Sequence, residues 1–199
     1  MILTGNEDLR VVKTITGIKR SFEELVCEKD YRAISVRELC DRAQVNKKTF
    51  YHYYGSLDEL LAEVQAELID GFLARIDGYA LPDDLAAVNR EFFLYAERQG
   101  RVFERITCSA SYVDIRDGMM ARVNALGWSG SPRFLALDEF ARRVLVDVVN
   151  DVTLTAYRRW VAGGKREPLG QVIDLVNTLQ LGGVRALFAD GAARVDLHP

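Results

Sequence analysis

The chain has 199 residues, enough for one large domain or for a small domain joined to a larger one. Hydrophobic residues make up 49% and charged residues 28%, which allows a sizeable core under a charged surface. A net charge of −3 excludes a chain that is basic throughout, so any nucleic-acid surface has to be local. One short window is basic. Residues 31–54 set Arg32, Arg37, Arg42, Lys47 and Lys48 against Glu38 and Asp41, whereas residues 1–60 as a whole balance ten basic against ten acidic side chains.

Other classes are disfavoured by what the chain lacks. Cys27, Cys40 and Cys108 are far apart and form no C-x-x-C, so neither a zinc site nor a disulfide framework is expected. Reduced thiols and a cytoplasmic location are the expectation. The first eight residues have no basic stretch followed by an apolar one, unlike a signal peptide. No run approaches the roughly 18 apolar residues of a membrane span. No membrane partner, metal or cofactor is expected. Only two histidines occur, His52 and His198, and G-x-S-x-G, H-E-x-x-H and phosphate-binding glycine loops are all missing, so no enzyme is expected.

Taken in chain order, apolar residues recur at helical spacing between the four prolines. A first helix is predicted over about 7–29, with Val12, Ile15, Phe22, Leu25 and Val26 on one face. Ser35-Val36-Arg37-Glu38 is a capping box, in which the Ser oxygen takes one free N–H and the Glu reaches back for another. Asn46 is a cap for a helix starting at Lys47, and Ser56-Leu57-Asp58-Glu59 is a second capping box. These predict helices over about 36–42, 47–53 and 57–77. Further helices are predicted over 83–99, stopped by Gly100, and over 101–109 and 112–125. A loop is expected at 127–132. A long helix from Phe134 to about Ala162, ended by Gly163-Gly164, precedes a last one from Pro168 to about Asp190. The fold class is all-α, with about nine helices and no strand.

Two short helices separated by Ala43-Gln44-Val45 fit a helix-turn-helix, whose second helix enters the major groove. A seven-residue helix is about 10 Å long, and the groove is about 12 Å wide. Phe50 and Tyr54, spaced i, i+4, can anchor that helix to Leu39 and Leu60, leaving Lys47, Lys48, Thr49, Tyr51 and His52 to face DNA. Alone, the same segment also fits an aromatic-rich core helix.

The order of residues narrows the choice. Residues 34–64 closely resemble the N-terminal domain of the TetR/AcrR family of bacterial regulators. The matching elements are Ser35, Ala43-x-Val45-Asn46, Thr49-Phe50-Tyr51-x-Tyr53-Tyr54, and Ser56 followed by Glu59-Leu60-Leu61. The resemblance is dense over about thirty residues and, with Phe22-x-x-Leu25, looser over about fifty. It implies a DNA-binding domain over 1–60 and a ligand-binding and dimerisation domain over 61–199. It also implies a homodimer on a near-palindromic operator, released as a repressor by a small, largely apolar effector. Ser35 and Arg37 would meet phosphate at a helix N-terminus, Asn46 would start the reading helix, and Tyr51 and His52 would hold the backbone. Lys47, Lys48 and Thr49 would address base edges. Gln44 departs from the family's usual Gly, and Leu57 from a common Lys that would contact phosphate.

The remaining two-thirds are rich in large apolar residues, most of which serve a core. The resemblance places an inducer pocket there, and a pocket that is mostly apolar with a few polar groups makes Tyr95, Phe103, Cys108, Tyr112, Met119, Trp128 and Asn150 its candidates. For the dimer, one stripe is Val144, Val148, Val152 and Thr155, and another is Val172, Val176, Leu179, Gly183 and Leu187. Gly182-Gly183 inside a helix costs about 1 kcal/mol each relative to Ala, which calls for a packing reason such as close helix approach. The competing reading is a helical module of this type that has lost DNA binding and acts through protein contacts.

Overall fold

The structure, a computed structural model, describes residues 8–109, 112, 120, 123, 124 and 127–188. Among them are eight α-helices and no strand, so the chain is all-α as expected. In chain order these are α1 (Leu9–Glu28), α2 (Val36–Ala43), α3 (Lys47–Tyr53), α4 (Leu57–Arg75), α5 (Leu85–Cys108), α6 (Pro132–Leu135), α7 (Glu139–Ala162) and α8 (Leu169–Phe188). A 3-10 turn at Tyr31–Ala33 joins α1 to α2.

Caps set most of these boundaries. The Asp8 carboxylate accepts from the Arg10 N–H (2.8 Å), Ser35 Oγ from Glu38 (3.2 Å), Asn46 Oδ1 from Thr49 (2.8 Å) and Ser56 Oγ from Glu59 (3.1 Å). Each takes up a donor that the first helical turn leaves unpaired. The two capping boxes close differently from the ideal pattern. The Glu38 carboxylate accepts from the Lys29 ammonium (2.6 Å), and the Glu59 carboxylate accepts from the Gly55 N–H (2.7 Å).

α5 is continuous by hydrogen bonding yet broken at Gly100, whose φ of 65° and ψ of −147° are not helical. The break falls where the sequence stops one helix and starts another, because only glycine reaches that conformation cheaply. Two expectations change. Gly127 and Trp128 are helical, so the loop predicted from 127 begins at Ser129. The helix predicted from Phe134 is two pieces. Ser131 caps α6, with Pro132 at its first position, and Asp138 in an extended conformation caps α7 afresh through the Ala141 N–H (2.8 Å). The helix predicted over 112–125 lies mostly outside the described residues, as do Met119 and His198.

The chain divides into two units. Of the described residues, the first holds those up to Gly71 together with 99–109 and Tyr112. Its core is built from Ile18, Phe22 and Leu25 of α1, Leu39 of α2, Phe50 of α3, Leu60 and Leu61 of α4, and Ile106 of α5. Ion pairs frame that core: Arg42 grips both oxygens of Glu28 (2.6 and 2.8 Å), and Lys19 meets Glu63 (2.6 Å).

The second unit holds residues 72–98 and the described residues from 120 to 188. Phe72, Phe92, Phe93 and Tyr157 pack there at ring separations of 5.4–6.2 Å. A second cluster gathers Leu85, Trp128, Leu145, Val149 and Val184. A polar seam runs through this unit. Asn89 donates to Asn177 (2.9 Å) and Gln180 (2.8 Å), and Gln180 donates to Thr153 (2.8 Å) and to the Val149 carbonyl (2.7 Å). It ties α5, α7 and α8 together.

Candidate nucleic-acid interface and effector cavity

The turn between α2 and α3 follows from local chemistry. Gln44 ends α2 in the left-handed region (φ 55°, ψ 39°), and the Val45 N–H returns to the Cys40 carbonyl (3.0 Å). A side chain at that φ costs about 1–2 kcal/mol, whereas glycine visits it freely. Gln44→Gly is therefore expected to stabilise the first unit by up to about 1 kcal/mol, since glycine's extra freedom in the unfolded chain offsets part of the gain. Thermal denaturation measures it, and a fall in Tm would show that Gln44 makes a compensating contact.

Next, α3 is seated on one side and open on the other. Phe50 and the following cap residue Tyr54 are fully buried, in the same cluster as Leu39 and Leu60, with their rings 5.8 Å apart. That is the anchoring the i, i+4 spacing called for. Burial, then the nearby carboxylates led by Glu63, pushes the Tyr54 hydroxyl above the usual tyrosine range, so it stays protonated. On the open side Lys47, Lys48, Tyr51 and His52 are exposed, and Tyr51 keeps 55% of its surface in solvent. Among the described residues neither Lys47 nor Lys48 forms an ion pair. Thr49 is half-buried, its hydroxyl turned to Asn46 Oδ1 (3.1 Å).

Ser35 and Arg37 are exposed at the start of α2, though the Ser35 oxygen is already occupied as a cap and Arg37 lies 3.9 Å from Asp41. Arg42, equally part of the basic window, is neutralised by Glu28 fourteen residues earlier, a pairing with no local sequence signal. Leu57 is half-buried against the core cluster, so the position works as packing in this chain.

The family model for bacterial regulatory proteins of the tetR family matches residues 23–64, the stretch from mid-α1 into α4. This segment is similar to the helix-turn-helix of that family. A curated relative, described as an HTH-type transcriptional regulator, YxbF of Bacillus subtilis, is 32% identical over 68 residues, and the match covers 32% of this chain and 18% of that protein. The chain thus spans about a fifth of that relative's length.

The fold has solved counterparts. A chain described as a TetR-family transcriptional regulator of Syntrophomonas wolfei superposes with a TM-score of 0.70 at 14% identity, over 92% of this chain and 99% of that one. A TetR transcriptional regulator of Streptococcus agalactiae gives 0.64 at 17% identity over 86% and 95%. The fatty acid degradation regulator FadR of Bacillus halodurans gives 0.62 at 15% identity over 86% and 96%. At these identities the likeness is one of fold. It extends the likeness beyond the matched segment, over 86–92% of this chain.

A cavity of about 50 Å³ lies in the second unit, among Phe72, Ile76, Leu85, Phe92, Trp128 and Leu154. Of the residues named from the sequence, Trp128 and Asn150 are part of its wall. Tyr95 is not; it is buried in the same unit, its ring 5.9 Å from Phe72. Phe103, Cys108 and Tyr112 belong to the first unit. Tyr112 is wholly buried in that unit's core with its ring 6.0 Å from Tyr31, and burial pushes its hydroxyl up to about 12. Asn89, Asn124 and Thr153 also line the cavity, and no local signal in the sequence marks them.

The apolar stripes of the last helices sort into two faces. On α7, Phe140 (68% exposed), Val144 and Val148 point outward. On α8, Val172 and Val176 are buried within the chain, and Leu175 (56%) and Leu179 (62%) face out. The outward stripe of α8 is therefore Leu175, Leu179, Gly182 and Gly183; of the expected stripe, Leu179 and Gly183 lie on it, Val172 and Val176 are buried within the chain, and Leu187 is half-buried.

Proposed function

We propose that the chain is a sequence-specific DNA-binding transcriptional regulator, with a DNA-binding domain over 1–60 and a ligand-binding and dimerisation domain over 61–199. The observation that carries this is α3, whose buried Phe50 seat leaves Lys47, Lys48, Tyr51 and His52 outward and, among the described residues, free of ion pairs. Lys47, Lys48 and Thr49 address base edges, while Tyr51 and His52 hold phosphate. Ser35 and Arg37 add phosphate contacts at the α2 N-terminus, and Asn46 fixes the start of α3. The role is regulatory rather than enzymatic, and cytoplasmic. Among the described residues no helix is long and apolar enough to cross a membrane.

A homodimer supplies the second reading head. The outward stripes of α7 and α8 are its interface, because Phe140, Val144 and Val148 on one helix and Leu175 and Leu179 on the other are large apolar side chains left in solvent on a single chain. A second copy of the same stripes is self-complementary under two-fold symmetry. A side-chain carbon added at Gly182 or Gly183 would meet nothing within 4 Å, so a larger residue there finds no obstacle inside one chain. Gly183→Leu should thus leave the monomer folded and weaken the dimer by typically 1–3 kcal/mol. Sedimentation of both proteins decides it; a stable monomer for the unaltered chain would overturn the dimer.

Release follows when a small, largely apolar compound fills the second unit's cavity and favours a dimer whose heads are wrongly spaced, which makes the chain a repressor. Helices α4 and α5 each contribute to both units, giving a covalent route between them. The test of the whole reading is selection of bound fragments from genomic DNA. A near-palindrome with half-sites about 34–36 Å apart is expected, and recovery of no common sequence would sink the reading.

A further inference from the structure

The cavity wall carries four polar side chains, Asn89, Asn124, Asn150 and Thr153, and no charged one among the described residues. Two of the four are committed to the seam. Asn89 donates twice to α8 and accepts from the Thr153 hydroxyl (3.3 Å), and Thr153 in turn accepts from Gln180. Asn124 and Asn150 stand outside that network. Each brings a carboxamide, which offers both a donor and an acceptor.

We propose that the cavity takes a small neutral ligand with a flat apolar body and one amide-like polar edge, held by Asn124 and Asn150, and that it turns away carboxylates. This rests on the reading of the chain as a ligand-released regulator. A buried carboxylate without a cation keeps an uncompensated desolvation cost, whereas a neutral amide exchanges water for two carboxamides. The rest of the lining is aliphatic and aromatic, suited to a ring. A benzene-sized occupant needs roughly 150 Å³, against about 50 Å³ in this partly open cavity. The wall must therefore widen, and Met120, an unbranched and adaptable side chain, is part of it. A ligand that fits only the widened state shifts the population toward that state.

Benzamide and benzoate have nearly the same shape and differ in charge, and toluene keeps the ring without the polar edge. Calorimetric titration of the full chain with each is expected to rank benzamide at least about tenfold tighter than benzoate. Asn150→Leu and Asn124→Leu should each weaken benzamide by about tenfold and leave toluene unchanged, which also reports an intact cavity. Should a variant fail to fold, the benzamide–benzoate comparison on the unaltered chain decides. Benzoate binding as tightly as benzamide would overturn the proposal, as would no binding of benzamide. Benzamide binding with operator affinity unmoved supports the ligand class and fails the release reading instead.

Discussion

Phe50→Ala is expected to melt the reading head. The ring is wholly buried and packs with Leu39, Tyr54 and Leu60, so it is the main tie between a seven-residue helix and its unit. A helix of that length has little stability of its own in water. Truncating a buried Phe costs typically 3–5 kcal/mol, because the transfer term and the cavity add. Against a typical domain stability of 5–15 kcal/mol, that removes much of the margin. At about 4–8 °C per kcal/mol for a unit of this size, the head's Tm should fall by more than about 12 °C. DNA binding should go with it. Tyr54→Phe is the control, since it keeps the ring and deletes only a hydroxyl. A Phe50→Ala protein that melts within a few degrees of the original would mean that α3 is held some other way.

Lysine substitutions on the open side should change selectivity and spare the fold. Lys47 and Lys48 open α3, where recognition helices meet base edges. Lys47→Ala or Lys48→Ala should each relax preference at one base pair per half-site, by about 1–3 kcal/mol for a good contact. Tyr51→Phe behaves differently, because loss of a phosphate contact weakens all sequences about equally. Affinity for a panel of single-base operator variants separates the two classes. A uniform loss for both lysine variants would make them phosphate contacts.

Much of the reading head is legible in the sequence because its signals are local. Ser35, Asn46 and Ser56 each precede a helix by one residue and act on an N–H three residues on. Phe50 and Tyr54 are one turn apart, so their shared burial follows from helical spacing. Gly100 breaks α5 as expected, for reasons of backbone alone. Gln44 stands where the family usually has glycine, and its positive φ gives that habit a physical cause in this chain.

The second unit is harder to read because its decisive contacts are remote. Asn89 and Gln180 meet across 91 residues, and nothing near either one announces the other. α8 is apolar on two sides, with Val172 and Val176 on one and Leu175 and Leu179 on the other. Spacing alone does not say which side the chain's own α7 covers, and packing decides it. Tyr112 fits a pocket by composition, yet its ring belongs with Tyr31 in the head. An aromatic residue carries the same signal in a core as in a pocket.

DNA reading by this chain is tested most directly by one measurement. Affinity of the unaltered protein would be compared for its selected operator and for a random duplex of equal length, at about 50 and 200 mM salt. Clear preference for the operator is expected, with a steep loss with salt, about 10³- to 10⁵-fold if six to ten phosphates are contacted. Equal affinity for the two duplexes, or none for either, would contradict it and favour a helical module that works through protein contacts.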